Sequence, residues 1–285
     1  MDERALKRVV ASVVGKDAVL DDCAVLALGD TFLVATTDML HESTDFPEWM
    51  TDREIGWMSA AVTLSDIAAM GARPSLVLLA AGLDSPSRLE EILTGARDCC
   101  CTCGATLAGG DLDAHRELTL VSSGIGFAER PVRRSGARPG DLVGIVGIPG
   151  RAQAALEGYS RFREYLSTPK PRIGEGLALA AAGASSMMDI SDGLLASLED
   201  MRQASGLGYA IESEKIPGLP GVPDDVALRF ALEGGGDFGL LFTAPPGTAL
   251  PGLPELSVIG RVVETPLILV DGRPAEGTGY QHHWD

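Results

Sequence analysis

A run of apolar and small residues between positions 55 and 70 is bounded by helix signals on both sides. Thr51 and Glu54 have the T-x-x-E spacing of a capping box, which satisfies two backbone amides where a helix begins. Small or apolar residues then occupy nearly every position up to Met70, so the pattern predicts a helix that is buried on all sides. Gly71 is placed for a left-handed C-terminal cap, and Pro74 prevents the helix from continuing.

Shorter segments alternate between strand-like and helix-like patterns in both halves of the chain. Strands are predicted at 32–35, 75–82, 118–127 and 142–146, and helices at 1–14, 86–104 and 194–205. Strands that alternate with helices are typical of the α+β and α/β classes. The run at 133–141, rich in Arg, Gly and Pro, has the composition of an exposed linker. It predicts two domains, 1–137 and 138–285, each with its own core.

The composition is that of a globular protein, with 285 residues, 45% hydrophobic residues and a mean hydropathy of +0.15. No apolar run reaches the length of a membrane span and no targeting segment is visible, so we expect a soluble, cytoplasmic protein. Four of the five cysteines lie at 99–103 on a predicted helix. Since no second Cys or His cluster has the spacing of a zinc site, we expect them to pack, and crowded thiols favour a reducing compartment.

Acidic residues outnumber basic residues by 40 to 23, which gives a net charge of −17. No basic stripe is present, so direct binding of nucleic acid is not expected. The excess of acid has two interpretations. It is either a solubilising surface, which the charge alone favours, or a set of carboxylates that hold divalent cations.

Asp66 is the acid inside the predicted buried helix. A buried carboxylate without a partner is costly, so it either takes up a proton or finds a cation. The structural alternative is a hydrogen bond to a neighbouring amide or an ion pair with an arginine. Asp66 taken alone does not decide between them.

Other aspartates lie at the ends of predicted elements, near Gly, Ser or Thr: Asp22, Asp38, Asp111, Asp189 and Asp192. Thr36 and Thr37 precede Asp38 at a predicted strand end, and Gly110 belongs to a Gly-Gly pair that lets backbone approach a ligand. If these carboxylates converged, each close pair would repel by up to about 4 kcal/mol. Cations would then be needed, and oxygen ligands alone point to Mg²⁺, which commonly bridges to phosphates.

Two common nucleotide motifs are excluded. The chain has no G-x-x-x-x-G-K-[ST] loop. Residues 234–239 match G-x-G-x-x-G by letter, but the sequence that follows predicts a strand where a dinucleotide site needs a helix.

Five segments, at 21–26, 36–40, 64–72, 109–111 and 188–194, resemble the motifs of the thiamine-monophosphate kinase family in the same order. Leu64 to Ala72, L-S-D-I-A-A-M-G-A, is the most specific of them. The resemblance covers essentially the whole chain. It implies two α/β domains of the aminoimidazole ribonucleotide synthetase-like type, within the superfamily that also contains selenophosphate synthetase.

The resemblance implies transfer of the γ-phosphoryl group of ATP to thiamine monophosphate, which gives thiamine diphosphate. It implies Mg²⁺ ligands at Asp22, Thr36, Thr37, Asp38, Asp66, Asp111, Asp189 and Asp192. It implies ATP contacts at Gly110, Asp111, Arg134 and Ser191. It also implies a homodimer in which the sheets of the N-terminal domains pair, and residues 30–130 show no obvious protection of a sheet edge.

No catalytic side chain is expected in this chemistry. A phosphate monoester has its second pKa near 6, so the attacking oxygen is already largely ionised at neutral pH. Positioning and charge neutralisation then suffice without a general base.

The acceptor side departs from the family pattern. Asp45 stands where the family usually has His, and Gly236 stands where it usually has a Glu that reaches the substrate. Trp284 is the candidate for the aromatic that stacks on thiamine, or else a packed tail residue. These departures predict weak thiamine-monophosphate kinase activity with a raised KM, improved by the double variant Gly236→Glu/Asp45→His.

Two alternatives remain. One is a related kinase or synthetase acting on another small phosphorylated acceptor, and the other is a nucleotide-binding homologue without turnover. A selenophosphate synthetase would carry a reactive Cys or Sec and a Lys in an N-terminal Gly-rich segment, which this chain lacks.

Overall fold

The structure is a computed structural model that describes residues 3–275 and Gly277. The candidate stacking residue Trp284 lies outside the described residues. Elements of the first half are α1 (Glu3–Val14), β1 (Ala24–Leu28), β2 (Thr31–His41), α2 (Glu42–Asp45), α3 (Asp52–Ala69), β3 (Arg73–Leu83), α4 (Leu89–Thr102), β4 (Thr106–Gly109), β5 (Leu112–Ala114) and β6 (Thr119–Ala128). Elements of the second half are β7 (Leu142–Val146), α5 (Arg151–Leu156), α6 (Arg163–Ser167), α7 (Ile173–Ala182), β8 (Ser186–Ile190), α8 (Leu194–Ser205), β9 (Gly208–Ile211), α9 (Asp224–Glu233), β10 (Gly239–Ala244), β11 (Leu256–Val263), β12 (Ile268–Val270) and β13 (Arg273–Pro274).

Each half contributes one mixed sheet. The first sheet has the order β1-β2-β6-β3-β4, with β5 also paired to β3. The second has the order β13-β12-β9-β11-β7-β10-β8. In the second sheet β10 runs antiparallel to both β7 and β8, so the carboxyl ends of β7 and β8 lie at the same edge. The α+β class is therefore confirmed.

Helix α3 is the buried helix that the sequence predicts. Thr51 and Glu54 form both hydrogen bonds of the capping box, and Gly71 follows the helix with a φ of 62°. The helix packs on β2 and β6 of the first sheet and also contacts α7 and β8 of the second half. Because it has neighbours on every side, a continuous apolar surface is its stable pattern.

The two halves also pack against each other, although one hydrophobic cluster lies almost wholly in the second half. Another hydrophobic cluster joins residues of α3 and the first sheet to Phe162, Leu166 and Phe230 of the second half. Hydrogen bonds cross between the halves as well, from Trp57 Nε1 to the Pro169 carbonyl at 2.9 Å and from Ser167 Oγ to a Glu54 carboxylate oxygen at 2.8 Å.

The structure differs from the sequence prediction in three places. Strand β2 runs on to His41, so Thr36 to Asp38 lie inside a strand and not at its end. The segment 133–141 is mostly exposed, but it is anchored at three points, because Ala137 and Asp141 are buried and Arg134 is ion-paired. Helix α9 was not predicted, since its short apolar pattern lies between loop-like segments.

Cys99 and Cys100 are buried in the shared core, as packing predicts, whereas Cys101 is exposed. Among the helices within the described residues, none combines the length and apolar character needed to cross a bilayer.

Candidate active site

Three aspartates from three separate parts of the chain converge in the cleft between the two sheets. They are Asp22, in the turn before β1, Asp66 on α3 and Asp189 on β8. One carboxylate oxygen of each lies within 4.8 Å of the others. This group confirms that carboxylates 44 and 123 residues apart in sequence are brought together by the fold.

Hydroxyl groups orient the carboxylates. Thr36 Oγ1 donates to Asp66 at 2.5 Å, and Thr63 Oγ1 donates to Asp38 at 2.7 Å. Ser65 Oγ donates to Asp189 at 2.8 Å. These bonds satisfy carboxylate oxygens that would otherwise be buried without partners.

Burial and mutual repulsion disfavour the charged form of these carboxylates. Burial is the main cause that raises the pKa of Asp66 well above its usual range, and repulsion from Asp38, Asp189 and Asp22 adds to it. Burial likewise raises the pKa of Asp189, with repulsion from Asp22 as the next cause. Burial raises the pKa of Asp38, against the hydrogen bond from Thr63. Carboxylates that are buried close to one another are stabilised when they share a cation.

Arg134 is the cation that the chain itself supplies. Its guanidinium contacts Asp22 at 2.5 Å and Asp200 of α8 at 3.1 Å, and its side chain is 14% exposed. Burial raises the pKa of Asp22, but the charge of Arg134 opposes that rise. The charge of Arg134 also opposes the raised pKa of Asp189, but one guanidinium beside several carboxylates neutralises their charge only in part.

A cavity of about 280 Å³ opens onto the cluster, lined by Asp22, Asp66, Arg134, Asp189, Ser191 and Asp192. A neighbouring cavity of about 290 Å³ is lined by Arg8, Val19, Leu20 and Gln203, and both cavities are bordered by Lys7, Arg134 and Asp200. Their combined size is in the range of small-molecule sites, about 300–1,000 Å³. The acidic cavity therefore adjoins a second cavity whose walls include basic and apolar residues.

The donor set fits a divalent cation. All three converging ligands are carboxylates, their charges are incompletely neutralised, and hard oxygen ligands are the ones that Mg²⁺ binds. The residues that would hold the cation are Asp22, Asp66 and Asp189, with Asp38 close enough to repel Asp66.

Two of the predicted ligands lie elsewhere. Successive strand residues point to opposite faces, so Thr36 and Asp38 face α3 while the Thr37 hydroxyl bonds Ser123 on the other face. Asp111 is exposed on the connection between β4 and β5, outside the group of three. Gly110 does allow a close approach, but to the protein itself, because a Cβ there would lie 1.8 Å from the Leu79 carbonyl oxygen.

The residues at the two altered acceptor positions stabilise or permit the local backbone conformation. Asp45 accepts hydrogen bonds from the His41 amide and the Thr44 hydroxyl, both at 2.7 Å, and so fixes the turn of α2. Gly236 has a φ of 90°, and a Cβ there would lie 3.1 Å from Leu166 and 3.2 Å from Ala152. A glutamate at position 236 would be strained, so the expected benefit of Gly236→Glu is not supported.

Several residues at the site were not predicted from the sequence: Lys7, Thr63, Ser65 and Asp200. Lys7 lies 3.5 Å from Asp200. Thr63 and Ser65 carried a signal, since hydroxyls beside Asp66 inside an otherwise apolar stretch of helix need partners. Asp200 carried none, because it occupies an ordinary polar position of α8.

The chain is similar to known proteins of one family. Residues 20–128 match the family described as AIR synthase related protein, N-terminal domain. A thiamine-monophosphate kinase from Methanospirillum hungatei is 51% identical over 286 residues, covering 100% of both chains. One from Halobacterium salinarum is 39% identical, covering 99% of this chain and 100% of its own. The structure of AaThiL complexed with AMPPCP and TMP superposes with a TM-score of 0.93 at 29% identity, covering 99% of this chain and 97% of that one.

Two mixed sheets that meet at a buried group of carboxylates define a protein of the AIR-synthase-related class. Within that class, the chain belongs to the thiamine-monophosphate kinase family, a family of ATP-dependent kinases. The family that the five sequence motifs predicted is confirmed.

Proposed function

We propose that this chain is a Mg²⁺-dependent kinase that transfers the γ-phosphoryl group of ATP to thiamine monophosphate, making thiamine diphosphate. The observation that carries the proposal is the convergence of Asp22, Asp66 and Asp189 in the interdomain cavity of a chain that is 51% identical to a thiamine-monophosphate kinase over its full length. A related structure that is complexed with AMPPCP and TMP supports the choice of both substrates.

Asp22, Asp66 and Asp189 would hold the cation on the floor of the cavity. Bound there, Mg²⁺ would neutralise phosphate charge and orient the reacting oxygens. The three carboxylates are fixed by hydroxyls from α3 and β2 and by Arg134, so their positions are set before substrate arrives. Preorganised charge of this kind stabilises a transition state without reorganisation during the reaction.

Arg134 and Ser191 would contact the nucleotide. Both line the cavity, and Ser191 lies three residues before Leu194, where α8 begins and backbone amides favour an anion. The guanidinium of Arg134 offers several donors in a plane that matches phosphate oxygens. The ATP contacts at Gly110 and Asp111, and the Mg²⁺ contacts at Thr37, Asp111 and Asp192, stay predictions from the resemblance.

No side chain in the described cavity is needed as a general base. The attacking phosphate oxygen of thiamine monophosphate is largely ionised at neutral pH, since its second pKa is near 6. Orientation of the acceptor beside the γ-phosphoryl group is then the main task of the protein. The level of activity, which the altered acceptor positions predict to be weak, stays a prediction.

The test is an assay of the purified full chain with ATP, Mg²⁺ and thiamine monophosphate, in which ADP and thiamine diphosphate are separated chromatographically. We expect both products in equal amounts from the wild type. Asp66→Asn should abolish turnover, whereas Asp141→Asn should retain it, because Asp141 is buried away from the cavity against Arg138 and Ser185. Turnover only with a different phosphorylated acceptor would establish the related-enzyme alternative. Nucleotide binding without product would establish a non-catalytic homologue.

We further propose a homodimer that forms through the face of the first sheet opposite α3. Register pairs place Leu26, Leu33 and Phe127 in one row across β1, β2 and β6. Leu26 is 62% exposed, and Met39 and Leu78 on the same face are 58% and 42% exposed. The sequence predicted pairing through an unprotected sheet edge, but the larger apolar feature is this face. Apolar patches of this kind mark association surfaces.

Light scattering tests the dimer. The wild type should have twice the monomer mass at micromolar concentration, and Leu78→Glu should shift it towards the monomer. Leu156→Glu is the matched control, because Leu156 is 52% exposed on α5 in the other half of the chain. A wild-type monomer at these concentrations would refute the dimer.

The remaining proposals concern organisation and location. A division near residue 137 is supported by the strands, since the first sheet ends at 128 and the second begins at 142. A cytoplasmic location stays a prediction from the sequence.

A further inference from the structure

Three neighbouring residues of α3 connect the two halves of the acidic cluster. Thr63 Oγ1 donates to Asp38 of β2, and the Asp66 carboxylate accepts from Thr36 of the same strand. Ser65 faces the other sheet, where its hydroxyl donates to Asp189 of β8 at 2.8 Å. One turn of helix therefore holds a carboxylate of the first sheet and one of the second.

The Ser65 bond is not a routine feature of a buried serine. A helical serine satisfies its hydroxyl most simply by donating to the carbonyl four residues earlier. Ser59 does so on the same helix, donating to the Ile55 carbonyl at 2.8 Å, and it is 1% exposed. Ser65 is 0% exposed but directs its hydroxyl across the interface between the halves, to a residue 124 positions later.

The bond also has an electrostatic purpose that the Ser59 bond lacks. Asp22, Asp66 and Asp189 lie within 4.8 Å of one another, so like charges push them apart. Asp66 is held by Thr36 and Asp22 by Arg134, while Ser65 holds Asp189. Without the Ser65 hydroxyl, the Asp189 carboxylate would lose this side-chain donor while the neighbouring like charges remained.

We propose that Ser65 is a positioning residue for the cation site, which keeps the Asp189 carboxylate of the second half converged with Asp22 and Asp66 of the first. The inference rests on the proposed role of the cluster in binding a divalent cation. It assigns Ser65 a role towards the metal without contact to it. Partners of this kind, which hold a metal ligand by a hydrogen bond, typically change metal affinity by about 10–100-fold when they are removed.

The experiment measures Mn²⁺ binding to the full chain without nucleotide, by the loss of the free Mn²⁺ signal in electron paramagnetic resonance. Ser65→Ala should weaken Mn²⁺ binding by about tenfold or more. Ser59→Ala removes an equally buried hydroxyl from the same helix and should leave Mn²⁺ affinity within about twofold of wild type, because its partner is a backbone carbonyl. Ser65→Thr, which keeps the hydroxyl, should bind more tightly than Ser65→Ala.

Metal-free melting temperatures separate positioning from folding. If Ser65→Ala loses stability, the rise in melting temperature that a fixed Mn²⁺ concentration produces still reports the site, and that rise should be smaller than in Ser59→Ala. Equal Mn²⁺ affinity and equal rises in the two alanine variants would overturn the role of Ser65 while leaving the proposed kinase intact. A wild type that binds no Mn²⁺ would instead reject the cation site itself, and the Ser65 proposal with it.

Discussion

Asp66→Asn should make the metal-free protein more stable while removing its response to Mg²⁺ and nucleotide. The substitution keeps the shape of the side chain at position 66. It also keeps an oxygen there that can accept a hydrogen bond from the Thr36 hydroxyl. It removes one of three charges that lie within 4.8 Å of one another. Most substitutions at a buried polar residue destabilise, so the predicted sign is a stringent test.

The magnitude follows from Coulomb's law. At 4.8 Å, two unit charges repel by about 3.5 kcal/mol at an effective dielectric constant of about 20. Asp66 has two such partners, but Arg134 offsets the charge of Asp22, and burial lets the carboxyls take up protons. We therefore expect the free energy of unfolding to rise by about 1–3 kcal/mol at pH 7.5. For domains of 150–250 residues each kcal/mol corresponds to about 2–4 °C, so the melting temperature should rise by several degrees.

The assay is a thermal melt in EDTA, repeated with Mg²⁺ and a non-hydrolysable ATP analogue. In the wild type, ligand at about 100 times its Kd should add about 2.7 kcal/mol by linkage, and in Asp66→Asn this gain should vanish. Asp141→Asn is the control, since Asp141 is 2% exposed and accepts from Ser185 but lies outside the cluster. It should not stabilise the protein. A lower melting temperature of Asp66→Asn in EDTA, or an unchanged response to ligand, would refute the reasoning.

The remaining predictions concern pH and the acceptor side. The folded-state pKa values of Asp66 and Asp189 are raised and that of Asp237 is raised to about 6, so the native state binds more protons than the unfolded state above pH 4. The metal-free melting temperature should therefore increase from pH 8 to pH 6, and a decrease would contradict the shifts. Gly236→Glu should cost about 1–3 kcal/mol in a urea melt because of its φ of 90°, as should Gly236→Ala. If Gly236→Glu/Asp45→His were as stable as the wild type and had a higher kcat/KM, the predicted strain at position 236 would be wrong.

The halves of the molecule are joined at the place where the chemistry is proposed. Helix α3 lies between the two sheets, and the cavity draws its walls from the turn before β1, from α3 and from β8. A change that separates the halves should therefore affect cation binding before it affects either sheet. This arrangement gives the hydrophobic pattern of α3 a functional consequence, because the buried helix supports carboxylates of both sheets.

The sequence by itself determined α3 and most elements of regular pattern. The capping box at Thr51 and Glu54, the left-handed Gly71 and the apolar run between them depend on interactions within a few residues, which is why they can be read locally. It also identified Asp66, since a carboxylate in apolar surroundings needs a partner wherever the chain takes it, and it placed Asp22 and Asp189 among five candidate aspartates at element ends.

Tertiary structure decided which polar residues meet. Side chains of β2 alternate between the two faces of the sheet, so Thr37 points away from Asp38. The length of that strand depends on its pairing with β6, which a local sequence pattern does not show. The exposed Asp111, the Asp200 that holds Arg134, and the bond from Ser65 to Asp189 all depend on contacts between residues far apart in sequence. Local propensity sets where the chain turns and coils, whereas only the packing of α3 between the sheets sets which carboxylates must share one buried space.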